Sequence, residues 1–303
     1  MVFELTILGT SSALPTSTRY PTAHVLNVHE RFFLIDCGEG TQMRLRQNRI
    51  RIGKIHDIFI SHTHGDHVFG LYGLISTLNL TGCRTPLTIY APEGFGEMIS
   101  SHLADFDIRL EFDIIHVPLT GNDPSVILDN NLMTVTSFPL KHRVPTYGFL
   151  FREKQLPRNI RKESISRYSI PLAAIPGIKS GLDFTDEKGN IIPNGDITID
   201  PPVPRSYAYC SDTAWFSRLP GLIRGVDMLY HEATFGSDKS DLARQTGHST
   251  SAEAARVAAE AGAGRLIIGH FSARYKSVDQ LVKEACDIFP ETVAAVDGET
   301  YTL

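Results

Sequence analysis

The sequence predicts an α/β fold, and three observations carry that reading. Short apolar runs bounded by polar or glycine-rich breaks recur along the chain, helical periodicity stands between many of them, and five of the runs deliver a polar residue suited to a site. Those residues are Asp36, the octet Ile60-Ser61-His62-Thr63-His64-Gly65-Asp66-His67, then His142, Asp212 and His270. A chance distribution of histidines would not track strand ends. With 303 residues, 42% hydrophobic and 21% charged, the chain can bury a substantial core, and we read residues 1–303 as one domain carrying an insert. No apolar run approaches the roughly twenty residues needed to cross a bilayer, so no membrane partner is expected. The N-terminus lacks the basic region and cleavage site of a signal peptide, which makes the cytoplasm the expected location. Four scattered cysteines without a C-x-x-C pair argue against a disulfide framework or a zinc ribbon.

Taken in order, residues 2–8 form a first strand that ends in the small polar loop Gly9-Thr10-Ser11-Ser12. Residues 24–28 and 32–36 read as a hairpin turning at His29-Glu30-Arg31. Asp36 closes its strand just before a helix that starts at Gly38-Glu39-Gly40-Thr41, where the carboxylate either orients a ligand histidine or caps the helix. Apolar Ile55, Ile58, Phe59 and Ile60 then lead into the octet, and Val68, Leu71, Leu74, Ile75 and Leu78 give the next helix. A strand (87–90), a helix (94–103) and a strand (112–117) follow. Strand 132–140 delivers His142, and 147–151 returns.

Residues 152–204 differ from what surrounds them. They hold Pro157, Pro171, Pro176, Pro193, Pro201, Pro202 and Pro204 with little periodicity. About fifty such residues inside a compact domain are better explained as a protruding functional insert than as a loop. Strand 206–210 then leads to Asp212, and 226–230 to His231-Glu232-Ala233-Thr234. Gly247-His248-Ser249-Thr250 precedes an alanine-rich helix, with Thr250 and Glu253 spaced as a capping box. Strand 266–269 ends at His270, and a helix (278–288) and a last strand (293–296) complete the chain.

The octet is the chemical centre of this plan. In extended chain, residues i and i+2 face one side, so His62 and His64 converge on one ion. Gly65 permits a sharp turn, after which Asp66 and His67 enter a helix from a new direction and reach a second ion. A lone histidine is best read as a satisfied core residue; four ligands within six residues at a strand-to-helix junction are not. Imidazole and carboxylate favour Zn²⁺, with Mn²⁺ or Fe²⁺ as substitutes by ligand type.

The net charge of −5 argues against a polyanionic substrate, but its distribution reverses that argument. Residues 141–167 carry eight Lys/Arg (Lys141, Arg143, Arg152, Lys154, Arg158, Arg161, Lys162 and Arg167) against Glu153 and Glu163. A second run, Arg44, Arg46, Arg49, Arg51 and Lys54, contains no acid. Either alone is explained by a solvated face; two, each joined to a ligand motif, point to phosphate binding.

With His-x-His-x-Asp-His in place, the sequence resembles the metallo-β-lactamase superfamily. Leu8-Gly9-Thr10-Ser11-Ser12, Asp36-Cys37-Gly38-Glu39-Gly40-Thr41-Gln42, His231-Glu232-Ala233-Thr234, His248-Ser249-Thr250 and His270-Phe271-Ser272-Ala273-Arg274-Tyr275 make it similar, within that superfamily, to the ribonuclease Z family, over nearly the whole chain. The resemblance implies an αββα sandwich, a homodimer, and a protruding basic arm at residues 152–204 that clamps precursor tRNA away from the active site. It implies two zinc ions per chain: His62, His64 and His142 on one, Asp66, His67 and His270 on the other, and Asp212 bridging. Two departures stand out, Pro171-Leu172-Ala173-Ala174-Ile175-Pro176-Gly177 in place of a Gly-Pro-rich arm tip, and Ser211 in place of Gly before the bridging Asp.

The expected reaction is hydrolysis of the phosphodiester following the unpaired nucleotide after the acceptor stem, giving a 3′-hydroxyl tRNA and a 5′-phosphate trailer. Asp66 is a candidate base or orienter of the nucleophile. His248, with Glu232 holding its tautomer, is the candidate acid, although the residues alone fit a helix cap equally well. Lys141 and Arg274 are candidates for flanking phosphates, with exposed salt bridging as the alternative, and His231 reads as structural. Arg158, Arg161, Lys162 and Lys179 are the candidate contacts of the arm. A dinuclear phosphodiesterase or thioesterase acting on small molecules is the rival reading, and it needs no basic insert.

Overall fold

The structure, a computed structural model, describes residues 2–303. Two sheets of seven strands organise it. The first runs, in spatial order, from Thr300–Thr302 through Phe3–Gly9, Ala23–Val28, Arg31–Ile35, Ile55–Phe59 and Leu87–Pro92 to Ile114–Leu119. The second runs from Thr292–Ala294 through Arg265–Gly269, Met228–Glu232, Ser206–Cys210, Tyr147–Glu153 and Met133–Pro139 to Ser125–Asp129.

The side chains of the strands explain the layering. Phe33, Phe59, Phe149, Phe151, Tyr207, Tyr209, Tyr230 and His24 meet between the sheets, with ring centroids such as Phe59 to Phe149 at 5.4 Å and His24 to Tyr230 at 4.2 Å. The outer face of the first sheet carries helices Thr41–Gln47, Gly65–Leu80 and Phe95–Asp105, which bury Leu45, Val68, Leu71, Leu74 and Phe95 against Leu34, Ile58 and Ile89. On the second sheet, helices Ser251–Ala261 and Asp279–Cys286 bury Ala254, Ala258, Leu281 and Ala285 against Leu229, Leu266 and Ile268. Helix, sheet, sheet, helix is the αββα sandwich.

The hairpin at residue 29 turns through His29 and Glu30, both left-handed (φ 51° and 67°), the backbone of a two-residue turn that matches strand twist. The expected strand at 112–117 is displaced to Ile114–Leu119. Ser125–Asp129 and Thr300–Thr302 were not anticipated, and the last helix stops at Cys286.

Residues 130–134 and 152–205 form a compact unit apart from the rest. This unit has a core of its own, Ile170, Ile178, Phe184, Ile192 and Ile197, closed by two-residue strand pairs (Asn159–Ile160 with Thr198–Ile199, Phe184–Thr185 with Ile191–Ile192). The stretch that read as aperiodic is therefore folded. Its basic character is partly neutralised within the unit: Arg158 pairs with Asp200 at 2.6 Å and donates to Thr198 at 2.8 Å. Arg161 and Lys162 are exposed, whereas Lys179 is half-buried.

Candidate metal centre

His62 and His64 follow strand Ile55–Phe59 in extended chain, and Gly65 opens helix Gly65–Leu80, which turns Asp66 and His67 inward. Gly70 of this helix lies so close to the backbone of Gly38 that a Cβ would sit 2.0 Å from the Gly38 carbonyl oxygen, which seats the helix start against the loop after Asp36. From the second sheet, His142 follows Met133–Pro139, Asp212 follows Ser206–Cys210 and His270 follows Arg265–Gly269. Asp36, Asp212 and His270 all hold left-handed backbone, φ 54°, 57° and 58°. Non-glycine residues persist there only when the surroundings impose it, and such positions cluster at functional sites.

The two oxygens of Asp212 face different partners. Oδ1 lies 3.2 Å from His67 Nε2 and 3.1 Å from His270 Nε2; Oδ2 lies 3.5 Å from His62 Nε2 and 3.7 Å from His142 Nε2. His64 Nδ1 is 2.9 Å from His62 Nε2, and Asp66 Oδ2 is 3.6 Å from His270 Nε2. Among the described residues, potential ligand atoms lie within 4.8 Å of one another in three overlapping groups: His62, His64, His142 and Asp212; Asp66, His67 and His270; and Asp212, His248 and His270.

Burial tests whether these groups suit a cation. The Nε2 atoms of His67, His142 and His270 are buried without a hydrogen-bond partner, a costly arrangement for polar atoms unless something else satisfies them. On the opposite edge each ring is anchored: His62 Nδ1 to Ser61 Oγ at 3.0 Å, His67 Nδ1 to Asp36 at 2.7 Å, His142 Nδ1 to the Gly247 carbonyl at 2.8 Å, and His270 Nδ1 to Thr234 Oγ1 at 2.9 Å. His67, His142 and His270 are thus fixed on one nitrogen and unpartnered on the other, while His62 Nε2 faces His64, the arrangement metal-binding histidines need, so the donor set fits a pair of divalent ions. Gly247 is left-handed (φ 77°), and a Cβ there would meet His142 Nδ1 at 3.0 Å.

Asp36 decides between the two sequence readings of it. Its carboxylate accepts from Ser61 N–H at 2.7 Å, Ser61 Oγ at 2.8 Å and Tyr209 OH at 2.5 Å as well as contacting His67, while the helix after it is preceded by Gly40 with no side-chain cap. It orients a histidine and caps nothing.

Electrostatics follow from burial and crowding. Burial penalises charge on His62 and holds its pKa well below the ordinary value. At His67 the burial penalty is outweighed by Asp212, Asp36 and Asp66, and the pKa rises. Asp212, though buried, is held well below the carboxylate range by His270, His67 and His62. His24, beneath the cluster, is pushed down to about 3 by burial and by His67 and His270, and so stays neutral.

A cavity of about 630 Å³ opens onto these groups, lined by Leu14, His64, Asp66, His142, Arg143, Asp212, Phe235, His248, His270 and Arg274 among others. Ala13 N–H, on the loop after the first strand, donates to Asp66 Oδ2 at 2.7 Å. His248 Nδ1 is 2.9 Å from Glu232 Oε1, and although burial opposes it, Glu232 raises the His248 pKa to about 9. Lys141 is exposed and outside the cavity wall, where Arg143 stands in its place. His231 is buried, its Nδ1 2.7 Å from the Glu232 carbonyl oxygen.

Comparison with known proteins places this geometry. The ribonuclease Z of Bacteroides thetaiotaomicron is 43% identical over 99% of this chain and 95% of its own, and that of Bacteroides fragilis 44% identical over 99% of both. The chain belongs to the ribonuclease Z family. The crystal structure of human tRNase Z, short form, superimposes with a TM-score of 0.72 at 27% identity over 98% of each chain. The metallo-β-lactamase fold protein YhfI of Bacillus subtilis reaches the same TM-score at 19% identity over the full length of both, which shows the fold alone. A family model described as Anti-Pycsar protein Apyc1 matches residues 3–108, the part that carries the octet. As a member of the ribonuclease Z family the chain is an enzyme, a metal-dependent hydrolase of the metallo-β-lactamase fold.

Arg143, Thr234, Ser61 and Tyr209 are site residues that the sequence reading did not assign. Arg143 lies one residue past His142, and Thr234 sits inside the His-Glu-Ala-Thr motif, so position relative to a ligand was the available signal. Tyr209 carried none.

Proposed function

We propose that this protein is a zinc-dependent endoribonuclease that cuts precursor tRNA 3′ of the discriminator nucleotide, leaving a 3′-hydroxyl tRNA and a 5′-phosphate trailer. The carrying observation is that Asp212 presents one oxygen to His67 and His270 and the other to His62 and His142, on a cavity that His248 and Arg274 also line. His62, His64 and His142 would hold one zinc, Asp66, His67 and His270 the other, with Asp212 shared; Mn²⁺ or Fe²⁺ would suit the same donors. When bound, such a pair supplies Lewis acidity and an activated water at neutral pH.

The chain's own residues do the rest. Arg274 and Arg143 hold phosphates flanking the scissile bond. Asp66, steadied by Ala13 N–H, orients the attacking water or accepts its proton. His248, with Nδ1 held by Glu232, offers Nε2 to the departing 3′ oxygen and gives it the proton it needs. Residues 152–204 serve as the tRNA-binding arm, with exposed Arg161 and Lys162 as its main phosphate contacts and Arg158 and Lys179 in support. The enzyme works as a homodimer in the cytoplasm. The dimer rests on the family resemblance and the location on the N-terminal sequence; sedimentation of purified protein at twice the chain mass supports the dimer, while a monomer refutes it.

Purified protein with zinc and a precursor tRNA should make one cut at that position; random degradation or no cut counts against the proposal. Faster turnover of bis(p-nitrophenyl) phosphate or a small thioester than of precursor would favour the rival reading of a small-molecule hydrolase.

A further inference from the structure

Thr234 lies between the histidine cluster and the His248–Glu232 pair, and its hydroxyl touches both. Oγ1 donates to Glu232 Oε2 at 2.5 Å and stands 2.9 Å from His270 Nδ1. A hydroxyl has one proton. Since that proton goes to Glu232, His270 must be the donor in the second bond, which places its ring proton on Nδ1 and its lone pair on Nε2, the atom 3.1 Å from Asp212 Oδ1. Glu232 has room for this, because its other oxygen takes Thr213 N–H at 2.7 Å and His248 Nδ1 at 2.9 Å.

The construction occurs twice. Asp36 contacts His67 Nδ1 directly at 2.7 Å and accepts from Ser61 Oγ at 2.8 Å, and Ser61 Oγ is 3.0 Å from His62 Nδ1. The same proton count puts the His62 ring proton on Nδ1. Each of two buried carboxylates therefore reaches one histidine directly and a second through a hydroxyl. All seven residues concerned other than His248 are buried, so no bulk water replaces these bonds.

We propose that Thr234 and Ser61 are positioning residues: Thr234 transmits Glu232 to His270, and Ser61 transmits Asp36 to His62, each fixing the tautomer that turns Nε2 toward Asp212. Glu232 then sets both the proton donor and a metal-holding ring. This rests on the reading of His62 and His270 as zinc-holding residues, and the test separates the two ideas.

Zinc affinity is measured on the full chain by competition with a chromophoric chelator. The wild type is compared with Thr234→Val, which keeps the shape and removes the hydroxyl, with Thr234→Ser, which restores it, and with Ser61→Ala. Wild type taking up two zinc ions, one bound about 10- to 100-fold more weakly in Thr234→Val and in Ser61→Ala, and recovery in Thr234→Ser are expected. Long-range ¹H–¹⁵N correlation should show the His270 proton on Nδ1 in wild type and Thr234→Ser, and a mixture in Thr234→Val. If wild type binds no zinc, the metal reading falls and this inference with it. If wild type binds zinc and Thr234→Val binds it equally well with the tautomer unchanged, the inference alone falls. A variant that loses affinity only because it misfolds would show a lowered metal-free melting temperature without recovery in Thr234→Ser, and that result also overturns it.

Discussion

At the level of single residues, the site works by division of labour between nitrogens of the same ring. His248 is the clearest case, since Glu232 holds the Nδ1 of a ring that lines the cavity and Nε2 is the nitrogen left for substrate. Its pKa, raised to about 9 against an ordinary 6.5, keeps it protonated at neutral pH, the state a proton donor needs. The donor is present below that pKa and lost above it, so kcat/KM for precursor cleavage should fall as pH rises through about 9. His248→Gln should lower the plateau by about 10²- to 10⁴-fold and remove that limb. Stability follows the same sign: what the His248–Glu232 pair contributes is fully present below about 6.5 and declines as pH rises toward 9. Asp212→Ala should abolish cleavage and leave fewer than two zinc ions per chain by elemental analysis, with tRNA binding largely retained.

Elements explain both what the sequence disclosed and what it withheld. The octet was legible because a strand places His62 and His64 on one side and a helix redirects Asp66 and His67, two periodicities that can be read without coordinates. The capping box was legible for the same reason: Thr250 accepts from Glu253 N–H while Glu253 takes the Thr250 N–H. Thr250→Ala should cost about 1 kcal/mol in urea unfolding. Strands Ser125–Asp129 and Thr300–Thr302 escaped notice because neither has a buried residue and the second is only three residues long. In the inserted unit, strands of two residues are too short to show any period, and its core is assembled from Ile170, Ile178, Phe184, Ile192 and Ile197 across turns. Roles carried by a single hydroxyl, as in Thr234, Ser61 and Tyr209, depend on contacts that spacing does not encode.

For the whole molecule, the site joins contributions from both sheets, His62 to His67 from one and His142, Asp212 and His270 from the other. Ions held between them should stabilise the folded state over the unfolded one, each by about 2.7 kcal/mol where free zinc is 100 times that site's dissociation constant. Chelation should therefore lower the melting temperature of wild type clearly and that of Asp212→Ala little; equal shifts would argue against a shared site. The inserted unit calls for point changes, because removing residues 158–179 would take Ile170 and Ile178 out of its core. Arg161→Glu with Lys162→Glu should weaken precursor tRNA binding, by filter retention, while leaving bis(p-nitrophenyl) phosphate turnover unchanged.

The left-handed backbone at Asp212 and His270 carries an evolutionary cost. Glycine would relax at both places, and asparagine at 212 more easily than most residues, so heat tolerance and chemistry pull those positions in opposite directions. A laboratory lineage of this chain bred only for survival at rising temperature, with no demand for RNA maturation, should drift toward sturdier and inert descendants that have given up these two side chains early.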